Sequence, residues 1–172
     1  MAQRMLAILS LCVMAACAST YEHSELQAPS VRLDSSKGVL ISVPEDGRYG
    51  NTQYFNSGRM TANAIRAAFT KKAKRADVTE ECQEDECLDD INAEKYGYYV
   101  KSVILHWEDR ATEWSGKADR IEIQMVVYDA YTKEELANSS YSGKSKWVTL
   151  GGDHPQDLLP EPTDEYVRKL YE

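Results

Sequence analysis

The sequence predicts an α/β (α+β) domain: a single mixed sheet of about five strands, in the order β-α-β-α-β-β-β-α, with helices packed on the sheet. Three observations carry this. Residues 38–43 (GVLISV) form a short apolar run ended by Pro44, the pattern of a strand buried on both faces in a parallel arrangement. Residues 98–147 read as three consecutive antiparallel strands, in which Ile121, Ile123, Met125 and Val127 alternate with Arg120, Glu122, Gln124 and Tyr128. Residues 58–75 and 163–171 repeat apolar side chains at helical spacing. Mixed element order of this kind means a sheet with helices laid on it, with right-handed crossovers between parallel strands. At 172 residues the chain suits one domain with a real core better than two.

The first residues read as an address. Arg4 supplies a positive start, residues 6–14 are apolar, and Val13-Met14-Ala15-Ala16 places small residues before Cys17. This resembles a bacterial lipobox, which implies cleavage before Cys17 and a covalent lipid, palmitate included, on that residue. Met14 stands where lipoboxes usually carry Leu. Cys12 is a poorer candidate because Leu11 before it is too bulky for the cleavage position; the rival reading is an ordinary secretory cut that leaves Cys17 a plain thiol. Ala18 in place of Asp implies sorting to the outer membrane. Loss of residues 1–16 removes Arg4 and no acid, taking the formal charge from −8 to −9. That acidity argues against a nucleic-acid binder, and no 18-residue apolar run spans a bilayer. The expected layout is therefore a signal peptide at 1–16, a lipidated Cys17 with a flexible tether through 37, and one globular domain at 38–172. Residues 18–37 are polar without a sustained period, and fully extended they would reach roughly 65 Å.

After the strand at 38–43 comes a long polar loop. Ser57 is placed to cap the helix at 58–75, where Ile65, Ala68 and Phe69 share a face with Thr61 one turn earlier and Lys72 one turn later. The helix ends in Lys71, Lys72, Lys74 and Arg75. Cations there favour the macrodipole, so a solvated helix end is preferred to a membrane or partner patch. A short edge strand is expected at 76–79, and a second helix at 87–94 with Leu88 and Ile91 inward, stopped by Gly97. The third strand of the antiparallel set, weakly apolar and carrying Lys144 and Lys146, belongs at or near an edge. The closing helix turns Tyr166, Val167 and Leu170 inward.

Cys82 and Cys87 remain as an even pair in an oxidising compartment, and a local disulfide that pins the acid-rich segment around them is expected over half a zinc site or two free thiols.

Topology gathers the unusual loops. If the strand leading to His106 runs parallel to the one at 38–43, then residues 44–50 (PEDGRYG), 106–117 and 147–157 meet at one pole, where ligands favour strand carboxyl ends. Arg48, Tyr49, Trp107, Glu108, Arg110, Glu113, Trp114, Lys117, Trp147, Asp153 and His154 are the candidate binding residues there. Trp107 and Trp147 are expected at the core rim, and Trp114 as an exposed anchor for a partner. Chemistry is weighed and mostly set aside. His106 and His154 with Asp109 and Asp153 lack metal-ligand spacing. Glu108 or Asp109 with Glu113, beside a Trp platform, could flank a glycosidic bond, but acids in a charged turn are more often solvated or paired with Arg110 and Lys117. There is no G-x-S-x-G, and Gly151-Gly152 lacks the rest of a phosphate-binding fingerprint.

The strings HWEDRATEWSGKADRIEI, SGKSKW and GGDHPQDLLPEP, with PEDGRYG and SGRMTA, resemble a family of bacterial lipoproteins catalogued as domain of unknown function 4823, over roughly residues 38–171. The resemblance implies a Gram-negative envelope lipoprotein and no activity. More weakly, the element order is similar to the lipoprotein activators of penicillin-binding synthases, the curli secretion lipoprotein and the amino-terminal domain of TolB, a likeness of fold that assigns no function. The expectation is a non-catalytic, periplasm-facing outer-membrane lipoprotein without cofactors or a metal site. It would contact outer-membrane lipid through Cys17, and through its loops an envelope protein partner, with peptidoglycan as a further candidate. The alternative is a glycan-binding, or less readily glycan-cleaving, protein.

Overall fold

The computed structural model describes residues 19–81, 85–110, 117–146 and 154–172. Its strands are β1 (Thr20–Gln27), β2 (Gly38–Ser42), β3 (Arg48–Tyr49), β4 (Thr52–Gln53), β5 (Arg75–Thr79), β6 (Tyr98–Glu108), β7 (Arg120–Asp129) and β8 (Glu135–Lys144); its α-helices are α1 (Ser57–Thr70) and α2 (Pro160–Leu170). Six strands form one mixed sheet in the order β1-β8-β7-β6-β2-β5, and β3 with β4 makes a separate small hairpin. The mixed α+β class expected from the sequence is the class found, with six main strands in place of about five.

β2 pairs in parallel with both β5 and β6. It therefore sits inside the sheet, and Val39 and Ile41 are fully buried. α1 makes the crossover from β2 to β5, and its Thr61, Ala62, Ile65, Ala68 and Phe69 all lie in the core. α2 packs on the same face through Tyr166, Val167 and Leu170. Tyr141 and Thr163 share a 2.6 Å hydroxyl contact within this core, which satisfies both polar groups away from water.

The other face of the sheet is only partly covered. Ile91, Tyr96, Tyr99 and Ala130 form a small second cluster at the end where β6 begins. Further along the same face Val103 and Leu105 are 37% and 49% exposed.

Three expectations need correction. The tether is not a flexible linker along its length: Thr20–Gln27 is β1, antiparallel to β8, with Thr20 opposite Lys144 and His23 opposite Tyr141. The chain after it stays attached, since Ser30 N–H donates to the Leu136 carbonyl at 2.8 Å, Leu33 N–H donates to the Leu170 carbonyl at 2.8 Å, and the Leu33 side chain is buried. An edge strand satisfies its backbone against one neighbour and needs few apolar side chains, so hydrophobic periodicity does not reveal it. Second, 87–94 is not an α-helix. A single 3-10 turn, Asp85–Leu88, is followed by turns that bring Leu88 and Ile91 to the second cluster. Third, Ser57 does not cap α1. Asn56, with φ 71°, holds the cap position, while the Asp46 carboxylate accepts the Asn56 and Gly58 backbone N–H groups at 3.0 and 2.9 Å. The capping oxygen is supplied from ten or so residues upstream, beyond the reach of a local motif. It works because Gly58 lets the helix start press on the Pro44 carbonyl, where any Cβ would collide.

Candidate functional site

The parallel pairing of β6 with β2 fixes where the loops go. The carboxyl ends of β2, β5, β6 and β8, and the amino ends of β7 and β1, lie at one pole. Residues 44–56, 106–110, 117–119 and 145–146 are therefore neighbours, as the sequence topology requires.

A β-bulge decides which side chains face which way. The β6–β7 register pairs Ile104 with Ile123, then shifts so that His106 pairs with Glu122 and Trp107 with Ile121. The extra residue is Leu105. Without it, Trp107 would share a face with Tyr99, Lys101 and Val103. With it, Trp107 turns into the main core, 2% exposed, and His106 and Glu108 turn to the open face. Gly47 completes the fit, because a Cβ there would lie 2.5 Å from the Trp107 Cβ.

On the open face Glu108 is the centre. Its side chain is 3% exposed and in ion-pair contact with the Arg110 guanidinium. His106 Nε2 lies 3.5 Å from the second carboxylate oxygen. Arg110 extends over Tyr49, its guanidinium carbon 5.8 Å from the ring centroid, and Tyr49 meets His106 edge-on at 5.2 Å. A buried carboxylate tolerates burial only when paired in this way. Arg110 Nε is buried without a hydrogen bond among the described residues.

Beneath this quartet, Asp119 ties two loops together. Its carboxylate accepts the Arg110 backbone N–H at 2.6 Å, its own N–H donates to Ser145 Oγ at 2.9 Å, and Ser145 N–H donates to the Asp119 carbonyl at 3.0 Å. Burial raises the Asp119 pKa above the ordinary carboxylate value. The Arg110 N–H and His154 oppose the rise, while the neighbouring Asp109 and Glu108 carboxylates add to it. Tyr54 Oη donates to the Asp109 carbonyl at 3.5 Å, and His154 Nδ1 is 3.9 Å from the Asp109 carboxylate.

Of the residues nominated from the sequence, Tyr49, Glu108 and Arg110 come together, and His154 lies beside the adjoining Asp109. Arg48 is exposed on the hairpin, donating to Gln53 Oε1 at 3.4 Å, and Lys117 is exposed at the same pole. Cys17, Cys82, Glu113, Trp114, Trp147 and Asp153 lie outside the described residues. Asp119, Ser145 and Tyr54 were not singled out; the one signal for Asp119 was an acid just before a strong strand alternation.

Two of the grooves among the described residues lie at opposite poles of the sheet. One, of about 290 Å³, opens beside the quartet and is lined by Thr20, Glu22, His106, Arg120, Glu122 and Lys144, among others. The larger, of about 770 Å³, lies at the opposite pole between Lys37, Lys74, Arg75, Lys95, Asp129 and Tyr131. Its cations are partly engaged: Arg75 Nε is 3.1 Å and Lys95 Nζ 3.9 Å from Asp77, and Lys37 stacks over the Tyr98 ring at 5.1 Å. No cluster of three metal-ligating side chains exists among the described residues.

A family model described as "Domain of unknown function (DUF4823)" matches residues 31–170. No curated protein matches the chain. Among solved structures the chain is similar to PelC from Paraburkholderia phytofirmans, solved as a dodecamer, at 10% identity and TM-score 0.60, covering 90% of this chain and 98% of that one. Protein XCC0632 from Xanthomonas campestris matches at 14% identity and TM-score 0.49, over 83% of this chain and 85% of that one. Lipoprotein GNA1162 from Neisseria meningitidis matches at 11% identity and TM-score 0.45, over 78% and 97%. The PelC likeness, at that identity, is a likeness of fold.

Proposed function

The chain belongs to the DUF4823 family, and from that premise we propose that it is a non-catalytic lipoprotein of the outer membrane, facing the periplasm, that acts as a binding module for an envelope protein complex. Residues 1–16 are its signal peptide and Cys17 its lipid-bearing residue; Cys82 and Cys87 form a disulfide. The observation that carries the reading is the gathering of Tyr49, His106 and Arg110 around the buried Glu108 carboxylate at one pole, with His154 beside the adjoining Asp109. Glu108 is committed to Arg110, and Asp119 to the Arg110 backbone. Such a cluster fixes the shape of loops, and it leaves an aromatic ring and a guanidinium at the surface, the residue types that anchor interfaces.

Site-specific photo-crosslinking in cells tests this. A crosslinker in place of Tyr49 captures one defined envelope protein, and one in place of Tyr131, at the other pole, does not. Capture of lipid alone, or equal capture from both positions, sinks the reading. A second copy of this chain is a specific catch to distinguish: PelC, of similar fold, was solved as a dodecamer, and Val103 and Leu105 here are 37% and 49% exposed among the described residues. Retention of the protein by purified peptidoglycan would instead support the glycan-binding alternative, and release of fragments its cleaving form.

A further inference from the structure

The first strand sets the direction in which the molecule is anchored. β1 is antiparallel to β8, and Thr20 stands opposite Lys144. β1 therefore starts at the pole that carries the Glu108–Arg110 cluster and runs away from it. Cys17 is three peptide steps from Thr20, which fully extended is about 10 Å. The opposite pole is the length of a strand away: β7 has 10 residues, or about 33 Å. A lipid on Cys17 thus leaves the first pole almost no slack, in contrast to the 65 Å a free tether would give.

We propose that this pole is a membrane-docking surface, held against the phospholipid headgroups of the bilayer that carries Cys17, with the basic groove at Lys74 and Arg75 directed away from it. The proposal rests on the lipid-anchor reading above.

The chemistry of the rim fits phosphate. Arg120 stands directly opposite Lys144 in the β7–β8 register, and both are exposed. Like charges in directly opposed cross-strand positions repel, and an anion between them relieves the repulsion. Lys117, Lys146 and Arg48 lie on the same rim, exposed or half-exposed. Glu22 and Glu122 sit one pair further in, both opposite Ser142, while Glu45, Asp46 and Asp109 share the pole with these cations. Each cation held near an anionic surface adds to the attraction. Tyr49, 45% exposed on its hairpin, adds an amphipathic ring of the kind found at headgroup level. A protein partner that meets this pole must then sit at the membrane surface itself.

The test uses the acylated full-length mature protein bound to vesicles of phosphatidylethanolamine and phosphatidylglycerol. Lysines are modified with a water-soluble acylating reagent and read by mass spectrometry, against the unacylated chain beginning at residue 18 in the same vesicle suspension. Lys117, Lys144 and Lys146 are expected to lose reactivity several-fold in the anchored form, while Lys71, Lys74 and Lys133 keep theirs. The double variant Arg120→Glu/Lys144→Glu, altered only at exposed positions, should restore much of the reactivity of Lys117 and Lys146. Equal reactivity at both poles, or protection of the Lys71 pole, in protein whose intact mass shows the acyl chains, overturns the docking and leaves the lipoprotein reading standing. An intact mass without acyl chains overturns both. Protection that persists in the charge-reversed variant without vesicles assigns the surface to a second copy of the chain and overturns the headgroup assignment.

Discussion

At Glu108 the main question is what a buried charge costs. Its side chain is 3% exposed and that of Arg110 25%. Removing one member of such a pair strands the other, which costs about 3–5 kcal/mol for fully buried partners. Because Arg110 is a quarter exposed, Arg110→Ala is expected at the lower end, about 3 kcal/mol. The double variant Glu108→Gln/Arg110→Ala should recover part of that loss, since a neutral amide is cheaper to bury than an unpaired carboxylate. Urea unfolding of the parent and the two variants checks both statements; a double variant as unstable as the single one would mean that Glu108 is not the stranded group. Asp119 gives a pH signature. Its folded pKa is raised, chiefly by burial, so the folded state holds the proton more tightly than the unfolded chain. Its contribution to stability is therefore present below the ordinary carboxylate pKa and is lost as the pH rises through the raised folded value. Asp119→Asn keeps an oxygen to accept the Arg110 N–H but cannot ionise. Its stability relative to the parent should rise between acid and neutral pH, measured by urea unfolding across that range. A difference that is flat or falls with pH would refute the assignment.

At the scale of elements, legibility follows from how much each segment relies on its own side chains. β7 alternates Ile121, Ile123, Met125 and Val127 inward because it is central with one open face, and its strand is plain in the sequence. β2, paired on both sides in parallel, reads as a continuous apolar run for the same reason. β1 is invisible because its fixed residues, Tyr21 and His23, are two polar aromatics among exposed neighbours. The bulge at Leu105 is equally silent: one inserted residue sends Trp107 to the core and Glu108 to the open face, and only the pairing register shows it. So the pole was readable from topology, whereas the quartet within it was not. The acid-rich segment near Cys87 is the element where a covalent restraint matters most, since a lone 3-10 turn holds little by itself. A Cys82–Cys87 bridge would close a short loop and contribute about 2 kcal/mol. The periplasmic protein should therefore have an intact mass lower by two hydrogens than its reduced form, and reduction should lower stability by about that amount. Two alkylatable thiols in unreduced material would remove the bridge.

For the whole molecule, β1 is where anchoring and folding meet. The family match begins at residue 31, beyond β1, and the main core is built from β2, β6, β7, β8 and the two helices, with Tyr21 packed at its margin. The domain should therefore fold without β1. What β1 supplies is a cover for the outer edge of β8, whose inward residues are largely small or polar: Ser139 and Ser140 are buried, and Ser139 Oγ donates to the Ser24 carbonyl at 3.0 Å. An uncovered strand of this length offers a row of unpaired backbone groups to any other edge. A chain beginning at residue 30 is thus expected to unfold cooperatively but less stably than one beginning at 18, and to self-associate in a concentration-dependent way by light scattering. Glu135 and Lys144, at the two ends of β8, are its charged side chains, and neither stands in the middle of the edge where it would oppose such pairing. A truncated chain that stayed monomeric at high concentration with unchanged stability would show that β1 neither shields the β8 edge nor adds to stability. The short leash between Cys17 and the docking pole would then have no structural purchase, because a β1 that detaches freely restores the slack that the β8 ladder takes away.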